Sequence, residues 1–144
     1  VKPLINPELS AYIMDLTGIT QKDVMEYGVD FASAYASFHG FSRGGAWPLF
    51  SWGGDHEVVL ENCRLYDVEP KAFAKGAFDL KVLFHEFGID FQARTSGELC
   101  DLFDLRVPGH VHNALHDVRS LTASLDHLIK TGRLNPDRLL NGAG

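Results

Sequence analysis

Apolar positions along most of this chain recur at three- and four-residue intervals, the spacing of one face of an α-helix. Leu9, Ile13 and Leu16 form a first stripe, with Asn6 as its predicted cap, Pro7 as its first helical residue and Gly18 as its stop. Thr20 opens a short second helix that Gly28 closes. Asp30 caps a third, with Phe31, Ala34, Tyr35 and Phe38 inward and Gly40 at its end. Further on, Val82, Leu83 and Phe87 define a helix terminated by Gly88, and Thr95-Ser96-Gly97-Glu98 has the capping-box spacing that opens another to about Phe103. Val118, Leu121, Leu125, Leu128 and Ile129 give the longest stripe, which ends at Gly132.

Strand patterns are scarce. Trp47-Pro48-Leu49-Phe50-Ser51-Trp52, bounded by Gly53-Gly54, reads as a buried strand, and Ala77-Phe78-Asp79-Leu80 as a brief one. Between them Asp55 is positioned to cap a helix from about His56 to Leu65. A strand, a glycine turn and an acid at a helix start together aim a carboxylate at the carboxyl end of a sheet. About six helices and two strands would leave helix faces uncovered, because layers must bury one another. The pattern therefore predicts either a mostly helical protein or an α/β domain whose first strands lie ahead of Val1. The tail from Arg133 to Gly144 is polar and expected to be loosely ordered.

The 144 residues are the length of one domain, 1–144. A net charge of −6 argues against a protein that coats long nucleic acid, since such binding runs on neutralised phosphates. It is compatible with an enzyme that grips one strand end, and with a carboxylate cluster built for divalent cations. No apolar run approaches the length of a membrane span, so no membrane partner is expected. Cys63 and Cys100 form no C-x-x-C pair and fall on apolar helix faces; they read as reduced, buried thiols in a cytoplasmic setting.

The chemistry concentrates in His112-Asn113-Ala114-Leu115-His116-Asp117, where an imidazole precedes a carboxylate by five residues at the mouth of a helix. A cation-bound water needs a carboxylate to hold the ion and a base to take the proton. Taken alone, Asp117 is equally a first-turn acid favoured by the helix dipole, His112 a loop histidine, and Asp55 an ordinary cap. His112 and His116 also stand four residues apart, a spacing that can share zinc, but no H-E-x-x-H pattern or nearby cysteine accompanies them.

Ser51-Trp52-Gly53-Gly54-Asp55 followed by His112-x-Ala114-x-x-Asp117 resembles the second and third motifs of the DEDDh 3′–5′ exonucleases, in the ribonuclease H-like superfamily. Leu16-Thr17-Gly18-Ile19-Thr20 is similar to the segment that follows the first three strands in that family, and the Trp-Gly before the second acid to its RNA-processing branch. The resemblance implies an α/β ribonuclease H-like exonuclease fold and two-metal hydrolysis of phosphodiesters at single-stranded RNA or DNA 3′ ends, RNA slightly favoured. It makes Asp55 and Asp117 ligands of Mg²⁺ or Mn²⁺ and His112 the general base. Ile19, Thr20 and Trp52 become substrate-binding residues.

The family's first motif, D-x-E on an apolar strand, has no counterpart. Asp55-His56-Glu57 lies at a helix start and Asp67-Val68-Glu69 in a turn before Pro70, so neither replaces it. The expectation is a domain whose first three strands are missing from the sequence, possessing half its acidic ligands. The alternative is a non-catalytic nucleic-acid-binding or interaction domain of the same fold. Uncovered helix faces would favour a homodimer. Arg43 in a glycine-rich loop and Lys71, Lys75 and Lys81 beside Phe73 and Phe78 could guide a single strand, or form an ordinary solvated face.

Overall fold

The computed structural model describes residues 1–4 and 6–137; residues 138–144 of the expected loose tail lie outside them. The chain groups into two compact units, Val1–Phe78 and Asp79–Gly144. Helices dominate both, and the sheet has two parallel strands. No helix among the described residues is long and apolar enough to cross a membrane.

In the first unit, α1 (Ala11–Thr17) begins four residues later than Pro7. The reason is local: Ser10 Oγ accepts from Ile13 N, while Leu9 N donates to Gln21 Oε1 at 2.7 Å, so the preceding backbone is engaged elsewhere. Helix α2 (Gln21–Tyr27) follows a complete capping box between Thr20 and Asp23. Helix α3 (Phe31–Phe41) starts at the expected Asp30 cap but runs through Gly40. Its inward face centres on buried Tyr35, whose hydroxyl accepts from Lys71 N at 2.9 Å. Phe31 stacks between Tyr35 and Tyr66, with ring centroids 5.8 and 5.2 Å away. Those contacts fasten α3 to the chain that follows α4 (Asp55–Leu65).

Strand β1 (Leu49–Ser51) pairs with β2 (Ala77–Asp79). Both are half-buried, so β1 differs from the fully buried strand its aromatic run suggested. Gly53 has a φ of 114°, a conformation open to glycine and strained for other residues. That turn carries the chain from β1 into α4.

The second unit holds α5 (Leu80–Glu86), a 3₁₀ helix (Ser96–Phe103) and α6 (Ala114–Lys130). The Thr95 element is thus a 3₁₀ helix where an α-helix was expected. Glu98 Oε2 still reaches back to Thr95 N and Oγ1, at 3.0 and 2.8 Å. Helix α6 packs on this 3₁₀ helix, and its buried positions share only Leu128 with the apolar stripe. Val118 and Ile129 are exposed, whereas His116, Ser120, Ser124 and Leu128 are buried. Ser120 Oγ accepts from Cys100 N at 3.0 Å, and Ser124 Oγ turns back to Ser120 O at 2.8 Å. Small hydroxyls let the two backbones approach and give the buried Cys100 N–H an acceptor. Apolar periodicity alone cannot indicate such a face.

Ser120→Ala is expected to cost about 1–3 kcal/mol, because the Cys100 N–H loses its acceptor inside the core. Ser124→Ala should cost less, since its hydroxyl adds a second bond to a carbonyl already within the helix. Urea denaturation of the two variants checks the order; equal losses would assign the effect to volume alone.

Candidate functional site

Helix α6 sets the geometry around the H-x-A-x-x-D element. Asn113 is its cap, with Oδ1 accepting from Leu115 N at 3.2 Å and His116 N at 3.3 Å. Asp117 falls in the first turn, where the helix dipole favours an acid. His112, immediately ahead of the cap, has a φ of 69°. Histidine enters this left-handed region more readily than most residues, but holding it there still costs on the order of 1–3 kcal/mol. What fixes it is a hydrogen bond from His112 N to Asp117 Oδ1 at 3.2 Å. The two residues are therefore joined through the backbone of one and the carboxylate of the other, with His112 exposed.

Gly97 of the 3₁₀ helix supplies the floor. A Cβ there would collide with Asp117 Oδ1 and stand 3.0 Å from Val111 Cγ1, so only glycine admits the Asp117 carboxylate at this spot. The neighbouring Glu98 was legible only as a cap. Hydrogen bonds from the Thr95 backbone and hydroxyl hold its carboxyl below the ordinary value of 4.5, and the charges of Arg94 and His112 act in the same direction. Glu98 thus joins the electrostatic surroundings of His112; its spacing from Thr95 was the sole signal, and that signal pointed to capping.

His116 is buried. Its Nε2 lies 3.1 Å from Gly97 O and its Nδ1 3.3 Å from Pro108 O. With both ring nitrogens turned to backbone carbonyls, it is not presented toward a zinc ion shared with His112. His110 Nδ1 stands 2.9 Å from Val111 O.

Asp55 belongs to the first unit. It is the first residue of α4, not the cap: Gly54 occupies that position without a side-chain bond. The carboxylate lines a cavity of about 260 Å³ whose other walls include Phe38, Phe50, His56 and Phe73. Sequence reasoning overlooked this cavity, because Phe38 and Phe73 lie far from Asp55 along the chain. Trp52 is half-buried in the turn before Asp55. Ile19 is exposed and lines a separate hollow with Val24 and Tyr27. The Thr20 hydroxyl is bonded to Asp23 Oδ2 at 2.6 Å, so its first role is to cap α2.

Mg²⁺ and Mn²⁺ favour about six oxygen ligands in near-octahedral array. Among the described residues, no three His, Cys, Asp or Glu side chains group so as to hold a metal ion. Asp55 and Asp117, one in each unit, are too small a donor set, so the described residues do not by themselves fit a two-ion centre. No protein family, curated protein or solved structure matches the chain.

Because the folded state lowers the Glu98 carboxyl value, Glu98 contributes stability above pH 4.5 that is lost as acid drives the pH down through the folded value. Glu98→Gln should therefore lower the melting temperature at neutral pH and flatten its fall below pH 4.5, measured by calorimetry across that range. An unchanged acid limb would remove Glu98 from this account. Asn113→Ala should cost about 1 kcal/mol through the lost cap.

Proposed function

We propose that this chain carries the second and third motifs of a metal-dependent 3′–5′ exonuclease of ribonuclease H-like fold, acting on single-stranded nucleic-acid ends. The observation that carries the reading is the hydrogen bond between His112 N and Asp117 Oδ1, which ties the two ends of H-x-A-x-x-D at the mouth of α6. The β1–Gly53–Gly54–Asp55 succession supports it independently, since it brings an acid to a helix start directly after a strand. In this reading Asp55 and Asp117 are metal-binding carboxylates and His112 is the proton acceptor. Trp52, Ile19 and Thr20 lie on the substrate side. RNA is the favoured strand, on the Trp52-Gly53 resemblance alone.

The reading needs more donors than the described residues group together, and neither strand carries a D-x-E motif. The same shortage favours a second reading, a domain of this fold that holds nucleic acid without cutting it.

The test uses the protein at its native length and a 5′-labelled single-stranded RNA with Mg²⁺ or Mn²⁺. The expected product is a ladder that shortens from the 3′ end, and His112→Ala should slow it by about 10²–10⁴-fold. Undiminished rates in His112→Ala would dismiss that residue as the base. No divalent-dependent shortening would transfer the conclusion to the binding domain.

A further inference from the structure

Two segments of the first unit, residues 38–48 and 70–78, contain Arg43, Lys71 and Lys75 and not one carboxylate, in a chain whose net charge is −6. They are packed together. His39 Nε2 lies 3.2 Å from Ala72 O, and the Phe38 and His39 rings stand 5.8 and 5.3 Å from that of Phe73. A Cβ on Gly45 would come within 3.0 Å of Phe73 Cα, so the two backbones are nearly in contact. Among the described residues none of the three cations forms an ion pair with a carboxylate. Instead, Arg43 lies with Cζ 4.6 Å over the Trp47 ring.

The same segments expose aromatic area that a folded chain would ordinarily bury: Phe41 is 80% exposed, Trp47 46% and Phe38 40%. Phe38 and Phe73 also wall the 260 Å³ cavity beside Asp55. Exposed rings interleaved with unpaired cations match a ligand that offers flat π-faces and regularly spaced negative charge. Bases stack on aromatic side chains and on guanidinium planes, while lysines meet the backbone phosphates. An acidic peptide would satisfy the cations and leave the rings in water. A duplex would hide its base faces.

We propose that the surface formed by residues 38–48 and 70–78 is a stacking platform for single-stranded nucleic acid. Bases lie on Trp47 and Phe41 and enter the Phe38–Phe73 cavity, and phosphates meet Arg43, Lys71 and Lys75. The partner class is that of the exonuclease reading, but the platform does not depend on hydrolysis.

The experiment measures fluorescence anisotropy of a short labelled oligouridylate with the full chain in EDTA. The logarithm of the association constant should fall linearly with the logarithm of salt concentration, and removing Lys71 and Lys75 together should lower that slope by about 0.7 for each lost phosphate contact. Trp47→Ala should weaken binding about five- to hundredfold, the range of one stacked base, and Trp47→Phe should restore most of it. Lys75→Glu, an exposed charge reversal, should weaken binding with no change in melting temperature. Affinity unmoved by Trp47→Ala and Lys75→Glu would overturn the proposal. So would equal or tighter binding of a duplex, a polyglutamate peptide or phosphatidylserine vesicles. Tight binding in EDTA without shortening in Mg²⁺ or Mn²⁺ removes the nuclease and leaves the platform. Shortening combined with an inert Trp47 removes the platform alone.

Discussion

The second unit depends on one buried hydrogen bond, from Cys100 N to Ser120 Oγ. A 3₁₀ helix presents backbone groups that its own geometry satisfies poorly. Here one of them finds its partner on α6, and the serine that receives it is small enough to bring the two helices together. Ser124 extends the same close-packed line, and Leu128 and Leu99, both fully buried, close it. Gly97 then sits against the first turn of α6, where the Asp117 carboxylate takes the space a side chain would need. The position of Asp117, and through it the left-handed backbone of His112, is a consequence of how closely these two elements pack.

Much of this was legible in residue order, and what was not has a common cause. Thr20 and Asp30 could be read as helix starts because short polar side chains meet orphan N–H groups within three residues. Asp79, read only as a strand residue, and Asn113, read only as part of the motif, also prove to be caps. The strand–glycine–acid succession at β1, Gly53 and Asp55 is local in the same way. Packing faces are not. Periodicity in α6 selected Leu128, which is buried, and Leu121 and Leu125, which are half-buried, but also Val118 and Ile129, which face solvent. It passed over His116, Ser120 and Ser124, whose hydrogen bonds let polar groups be buried. Burial of His116 between two carbonyls depends on the Gly97 and Pro108 backbones, separated from it by 19 and 8 residues.

The candidate site divides along the same line. His112 and Asp117 are neighbours in sequence, and their hydrogen bond follows from a helix start. Asp55 is tied to its own cavity by residues of the first unit, notably Phe38 and Phe73, which no motif flags. A carboxylate at the first position of α4, set among aromatic rings, differs chemically from one in the first turn of α6 beside glycine. The motif resemblance names both acids as ligands, and their surroundings distinguish them. The cationic and aromatic segments around Trp47 and Phe73 add a second kind of chemistry to that first unit, one based on stacking and phosphate charge.

The Cys100–Ser120 bond joins residues only 20 apart, so it closes a short loop. Loop-closure entropy rises slowly, by about 0.6 kcal/mol for each doubling of length, and local contacts of this kind form early when a chain folds. The hydrogen bonds that shape the His112–Asp117 mouth fall within the same stretch, from Thr95 through Leu128. This corner of the protein therefore closes at low entropic cost, and its geometry rests on contacts made within one short stretch of chain.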